Sequence, residues 1–421
     1  MLNIFNLNHP KGLYLLFFVE MWERFSFYGM RALIVLYMIQ CLLYPVQKAG
    51  NIYGLYTGFV YLTPIIGGYL ADRYFGQRRC VTTGAVLMCL GLFLLAFGGK
   101  YCFLISLFLM ITANGFFKSN ISSVLGLLYG DNTEKKDSAF TIFYMGINLG
   151  AFFSPLICGT LAVKFGFEWG FASAGAGMLI GLILYKIFEN KLLGEHGLYP
   201  SEVNISENTT YNDNCSKIPS LICLMLFTIP FWICFEQAGS SLTLFAEYNT
   251  NRTIFGLEIP TGYFQSLNPL FIITLAPIIS ALWEVLRAKS LEPSSVNKFN
   301  IALFLMSFAF LIMAFAGYRS TICLVSPLWL LTAYFIMTVA ELCLSPIGLS
   351  LVSKLAPKKF LSFMMGCWFL TSFFGNLIAG ILGGQYGTMP IFEFFCGFSL
   401  LAFGTGILLF MFNKYIGKTL L

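Results

Sequence analysis

Runs of about 20 apolar residues recur along the chain, parted only by short polar stretches, and nothing else constrains the fold so strongly. They fall near residues 13–44, 50–71, 79–98, 101–129, 138–163, 169–189, 218–247, 262–287, 299–317, 323–352, 360–386 and 390–413. A helix of that length crosses the hydrocarbon layer and satisfies its own backbone hydrogen bonds where no water can. The expectation is an all-α polytopic membrane protein with about twelve transmembrane helices. With 58% hydrophobic and 10% charged residues, the composition excludes a soluble domain.

Charge inside such a span is costly and marks function by default. The first run nevertheless holds Glu20, Glu23, Arg24 and Arg31. On a wheel of about 100° per residue, Glu20, Arg24, Tyr28 and Arg31 fall on one stripe, with Glu23 at its edge. That stripe is expected to face a wet interior. Lys118, Glu236 and Glu341 place further charges within later spans. Both histidines, His9 and His196, lie outside the spans, so a proton relay at membrane depth has to use carboxylates.

Basic residues set the orientation. Of the 25, Lys48, Lys100, Lys164, Arg252 and Arg319 fall on one side and Arg24, Arg31 and Lys118 within spans. The rest share the side of both termini, which the positive-inside rule makes cytoplasmic. This asymmetry also accounts for the net charge of +6, so no nucleic-acid partner is implied. The first run is too long and too charged for a cleavable leader. The 12 cysteines are scattered without metal-like spacing, and neither disulfides nor a metal site is expected.

A polar stretch from Asn190 to Lys217 divides the chain into two halves of six spans, residues 1–189 and 218–421. Asn204 and Asn208 in it match a glycosylation pattern that has no meaning on the cytoplasmic side. The halves echo each other weakly, Gly146 to Gly150 against Gly375-Asn376. Glycine clusters at 67–68, 146–150, 175–181 and 380–384 suit close helix packing. Prolines 64, 155, 230, 269, 277 and 346 interrupt spans.

Between the second and third spans stands Gly67-Gly68-Tyr-Leu-Ala-Asp72-Arg73-Tyr-Phe-Gly76-Gln-Arg78-Arg79. Its glycines let helix ends approach, Asp72 can bridge to a neighbouring helix, and its arginines are expected to grip the cytoplasmic surface and headgroups. The pattern resembles the loop signature of the major facilitator superfamily, which implies a major facilitator fold of two six-helix bundles. In that family the loop, here Gly68, Asp72, Arg73, Gly76 and Arg78, stabilises the outward-facing state.

Glu20-x-x-Glu23-Arg24-Phe25-x-Phe27-Tyr28-Gly29 then resembles the opening signature of the proton-dependent oligopeptide transporters, with Phe27 replacing a tyrosine. Phe143-Tyr144 through Asn148-Leu-Gly150, Phe116-Phe-Lys118-Ser-Asn120, Trp232 through Glu236-Gln237, Gln265 through Asn268-Pro269, Glu341 through Ser345-Pro346 and Gly366-x-Trp368 are similar to further signatures of that family. The loop 190–217 is too short for the two extra helices that many bacterial members carry.

The resemblance implies a symporter of di- and tripeptides. Arg31, Lys118 and Arg24, aided by Asn148 and Tyr28, would meet the peptide carboxylate, and Glu341 with Asn268 its amino terminus. Tyr61, Trp232, Trp368 and Ser345 would line side-chain pockets. Glu236 with Arg31 is expected as the outer gate, and Glu20 and Glu23 beside Arg24 and Lys118 as a second proton site. Partners are peptides, protons and the lipid bilayer of a bacterial inner membrane. The chain is expected as a monomer without cofactor or metal.

Two rivals stand beside this reading. A relative carrying nitrate or a glycoside is disfavoured because Glu341 repels an anion that lacks an ammonium group. A peptide receptor that signals without transport is disfavoured by the short tail Asn413 to Leu421. No metalloprotease, serine-hydrolase or aspartyl signature occurs in a span, which argues against an enzyme.

Overall fold

The computed structural model describes residues 9–130, 133–200, 218–254, 256–355 and 361–420. Asn204, Asn208 and most of the central polar loop lie outside the described residues. Twelve helical rods follow in chain order: α1 Lys11–Gln40, α2 Val46–Leu70, α3 Gln77–Phe97, α4 Lys100–Tyr129, α5 Thr133–Phe165 and α6 Phe167–Leu193, then α7 Ile218–Tyr248, α8 Thr261–Ala288, α9 Ser295–Arg319, α10 Leu328–Leu355, α11 Leu361–Gly383 and α12 Ile391–Leu420. A small hairpin, β1 Thr253–Ile254 and β2 Leu257–Glu258, joins α7 to α8.

Ten of the rods, α3 to α12, are long and apolar enough to cross a membrane. The other two differ for visible reasons. Four charged residues interrupt the apolar run of α1, and glycines and tyrosines dilute that of α2. Large apolar side chains such as Phe97, Phe108, Leu400 and Met411 stand exposed along the rods, as lipid contact requires.

The chain forms two compact units, Met1–Leu42 with Phe59–Ile205 and Leu43–Gly58 with Ser206–Leu421. In the first, α1 packs on α5 and α6, and α3 on α4 and α6. Small residues make this possible. A Cβ at Gly146 would lie 3.0 Å from the Phe17 carbonyl oxygen, and one at Gly177 2.6 Å from the Phe25 ring. The glycine clusters of α5 and α6 are therefore the seat of α1. Gly98 and Gly99, with φ of 77° and 86°, turn the chain from α3 into α4 in a backbone region other residues avoid.

In the second unit α9 packs on α10 and α12, α7 on α11, and α8 on α10. The opening turns of α2 join this unit through bare backbone contact with α11. A Cβ at Gly54 would lie 2.8 Å from Gly380 Cα, and one at Gly50 2.6 Å from the Gly380 carbonyl oxygen. Pro64, Pro155, Pro277 and Pro346 sit inside helices. Pro230 and Pro269 fall in first turns, where a missing N–H costs nothing.

α7 is not one helix. It runs as α-helix over Ile218–Leu226 and Thr228–Phe235, as a 3-10 turn over Glu236–Gly239, and as α-helix again over Ser241–Tyr248. Discontinuous spans of this kind line binding sites in transporters, because freed backbone groups need a polar cavity or protein partners.

Candidate substrate and proton site

In the first unit the charges of α1 are buried together. Glu20, Glu23, Arg24 and Arg31 are 3%, 0%, 4% and 8% exposed, so Glu23, expected at the stripe's edge, is the most enclosed. It is also the main partner of Arg24. The guanidinium donates through Nη2 to Glu23 Oε1 at 2.8 Å and through Nε to Glu23 Oε2. Glu20 Oε1 lies 3.3 Å from the same Nε. Two carboxylates thus share one guanidinium, and Glu20 Oε2 has no hydrogen-bond partner among the described residues.

Burying such a cluster is unfavourable unless its geometry is good, and removing one member is worse. Sequence order explains the geometry: Glu20 and Arg24 are one turn apart, whereas Glu23 reaches Arg24 along the helix surface. The Arg24 guanidinium also lies 5.2 Å over the Phe27 ring. The residue that departs from the family tyrosine therefore meets the arginine with its face and offers no hydroxyl.

Cation and aromatic recur around this cluster. Lys118 on α4 places Nζ 4.3 Å above the Tyr61 ring on α2, and Arg31 sits 5.8 Å from the ring of Tyr28. Lys118 is also near enough to act electrostatically on Glu20. Asn148 on α5 donates to its own helix, Nδ2 to the Tyr144 carbonyl at 2.9 Å, leaving its second amide hydrogen and its Oδ1 for other partners.

The second unit holds the opposite pole. Asn268, in the first turn of the α-helix Leu267–Ala288, donates Nδ2 to Glu341 Oε2 on α10 at 2.8 Å and to Thr338 Oγ1 at 3.1 Å. Trp368 on α11 is 4% exposed and its indole fills the place a side chain at Gly348 would take. Trp232 on α7 is 8% exposed and packs against Gly375, where a Cβ would collide with its own. Its indole Nε1 has no hydrogen-bond partner among the described residues. Ser345 is half-buried one turn from Glu341. Glu236, 2% exposed, stands at the head of the 3-10 turn in α7.

The loop after α2 departs from expectation. Arg73 and Arg79 are exposed, but Arg78 is 2% exposed and cannot reach headgroups. It ties α3 to the end of α6, donating to the Gly194 carbonyl at 2.7 Å and Asn190 Oδ1 at 2.6 Å, with Glu189 Oε2 at 3.3 Å. The cause is a close turn. A single π turn, Ala71–Phe75, ends α2, and Gly76 at φ 79° brings its backbone so close that a Cβ would lie 2.5 Å from the Leu198 carbonyl oxygen. Asp72 accepts from Gln77 Nε2 at 2.7 Å, a bond from the end of α2 to the first residue of α3. Gly68 faces Ser119 of α4, 3.4 Å from a would-be Cβ to its Oγ.

Two buried polar residues received no site role from the sequence. Asn114 is wholly buried one turn before Lys118, and neither of its amide atoms has a partner among the described residues. Its helical spacing from Lys118, one turn along the same apolar run, was the available signal. Gln237 anchors the break in α7, which the run Gly239-Ser240-Ser241 foreshadows.

Spans that bury both signs of charge beside aromatic rings, one of them discontinuous, define a polytopic membrane transporter. The pattern that characterises the POT family matches residues 78–192 and 194–391. A peptide transporter of Yersinia enterocolitica, YePEPT, is 36% identical over 449 residues, covering 90% of this chain and 88% of the relative. A di-/tripeptide transporter of Lactococcus lactis is 32% identical over 480 residues, covering 97% and 96%. The crystal structure of a POT peptide transporter in complex with sulfate superposes with a TM-score of 0.92 at 33% identity, covering 98% of this chain and 96% of the other. The chain belongs to the POT family, and its fold is that of a major facilitator.

Proposed function

We propose that this protein is a proton-coupled symporter that imports di- and tripeptides by alternating access. One observation carries the reading: a cation-rich cluster with its own carboxylates is buried in the first unit, and a carboxylate held by an amide in the second. A peptide is a zwitterion and needs both poles. Arg24, Arg31 and Lys118, with Tyr28 and Asn148, receive its carboxylate, and Glu341 with Asn268 receives its ammonium. Tyr61, Trp232, Ser345 and Trp368 contribute apolar and small-polar walls that accept many side chains. The names of the relatives support the same substrate class.

Protons act at carboxylates. Glu236 is the coupling group of the outer gate, with Arg31 its cationic counterpart during the cycle, and Glu20 and Glu23 form the second site around Arg24 and Lys118. Protonating a buried carboxylate removes an attraction worth a few kcal/mol once desolvation is counted, enough to tip a two-state equilibrium. The moving bodies are the halves 1–189 and 218–421, linked by 190–217, with the loop Gly68, Asp72, Arg73, Gly76 and Arg78 setting their preference between states. The protein works as a monomer in a bacterial inner membrane with both termini in the cytoplasm, carries out no catalysis, and uses protons in place of a cofactor.

Competition in proteoliposome counterflow tests the substrate class. Dipeptides and tripeptides are expected to displace labelled dipeptide, while free amino acids, nitrate and glycosides are not. Displacement by nitrate or a glycoside alone overturns the reading.

A further inference from the structure

The polar group that does most to shape α7 is one the transport scheme leaves without a role. Gln237 is wholly buried, and all of its amide capacity that the geometry offers is taken up. Nε2 donates to the Ile233 carbonyl at 3.1 Å, in the turn before the break, and to the Ala379 carbonyl of α11 at 3.0 Å. Oε1 accepts from Ser241 Oγ at 2.6 Å and Ser240 Oγ at 3.2 Å, in the turn after it. Two donations and two acceptances complete the side chain. A satisfied buried network of this kind rigidifies its surroundings, whereas a half-satisfied one destabilises them.

The surroundings are the 3-10 turn. Ser240 lies at φ −127° and ψ −94°, outside both helical and extended geometry, and marks the break. Gln237 bonds both flanks of that break and the neighbouring helix at once. α11 is shaped to receive it: a Cβ at Gly383 would lie 2.7 Å from Ser240 Oγ and 3.0 Å from Gln237 Oε1. On the other side the Ala238 carbonyl accepts from Tyr334 Oη of α10 at 3.2 Å. Glu236 is the adjacent residue of the same turn. Of the helices bonded to this turn, α11 carries no Asp, Glu, Lys, Arg or His between residues 364 and 383, and α10 brings the Tyr334 phenol to Ala238, two turns from Glu341.

We propose that Gln237 is a positioning residue of the transport cycle: by pinning the 3-10 turn of α7 to α11 it fixes the direction of the Glu236 carboxyl and makes that turn and α11 move together. This rests on the reading of Glu236 as the coupling carboxylate.

Three variants in proteoliposomes test it: Glu236→Gln, Gln237→Met and the double variant. Gln237→Met keeps proton-independent counterflow, loses at least tenfold in gradient-driven accumulation of labelled dipeptide, and shifts the pH midpoint of uptake. In the Glu236→Gln background the same change adds no further loss. Wild-type accumulation and midpoint in Gln237→Met, with Glu236→Gln inactive in accumulation, overturns the role of Gln237 and leaves that of Glu236 standing. Full accumulation by Glu236→Gln overturns the coupling role itself. If Gln237→Met does not fold, Ser240→Ala with Ser241→Ala decides, because it removes both accepted bonds and leaves the glutamine. A shifted midpoint supports the proposal, and an unchanged one overturns it.

Discussion

Asn268 and Glu341 are bound side chain to side chain across α8 and α10, Nδ2 to Oε2 at 2.8 Å. Thr338 completes the arrangement, accepting from Asn268 at 3.1 Å while it donates to the Tyr334 carbonyl at 2.7 Å. The carboxylate is therefore oriented before any ammonium group arrives, which lowers the ordering cost of binding. A charge-assisted hydrogen bond is worth about 1.5–3 kcal/mol. Glu341→Gln is expected to weaken dipeptide competition by roughly tenfold or more, at about 1.4 kcal/mol per factor of ten. The same variant should hardly alter competition by an N-acetylated dipeptide, which has no ammonium to lose. Equal losses for both peptides would place Glu341 elsewhere in the mechanism.

Arg78 predicts an asymmetry in stability. Its guanidinium is buried on Glu189, Asn190 and Gly194, so Arg78→Met removes all three contacts at once, while the Glu189 carboxylate keeps Lys186 Nζ on its Oε1. Hydrogen bonds to charged groups are worth about 1.5–3 kcal/mol each. Glu189→Gln is milder, because Arg78 keeps Asn190 and the Gly194 carbonyl. Thermal unfolding in detergent is expected to rank wild type, Glu189→Gln and Arg78→Met in falling order.

Close backbone contact between α2 and α11 gives a steric prediction. A Cβ at Gly380 would lie 2.5 Å from the Gly50 carbonyl oxygen and 2.5 Å from Gly54 N, neither of which can rotate away. Gly397 has nothing within 4 Å of its would-be Cβ. Gly380→Ala is expected to destabilise by about 1–3 kcal/mol, as overpacking does, and Gly397→Ala to leave the unfolding temperature unchanged.

His9 ties the start of the chain to α4 and α5, Nδ1 to Tyr129 Oη at 2.8 Å and Nε2 to Ser138 Oγ at 3.4 Å. Partial burial, and then the nearby Lys135 ammonium, hold its pKa below the ordinary 6.5. A depressed value means the folded protein favours the neutral ring. This contribution to stability is present in full above pH 6.5 and is lost as pH falls through the lowered folded pKa. The difference in unfolding temperature between wild type and His9→Gln should therefore shrink on acidification. A difference that widens contradicts the assignment.

The rods and the membrane class were legible because lipid imposes a length and forbids unpaired backbone, constraints that leave a plain mark on sequence. Clustering of Glu20 with Arg24 was legible too, since helical spacing alone puts them together. Arg78 was not. One of three arginines after a span looks like a surface anchor, and only the turn at Gly76, bringing residues 194–198 alongside, encloses it. Glu23 was misplaced at the edge of the stripe, because a wheel records direction and ignores how far a long side chain reaches. Gln237 stood in the sequence only as part of a signature beside Glu236, and its role was hidden because two of its partners, the Ile233 and Ala379 carbonyls, are backbone groups.

In the transport cycle proposed above, buried carboxylates couple peptide entry to proton entry. The most direct measurement is uptake of labelled dipeptide by proteoliposomes of the purified protein under an inward proton gradient, with and without an uncoupler. Accumulation above the external concentration is expected, collapsing to equilibration when the gradient is dissipated. Identical uptake in the two conditions contradicts it.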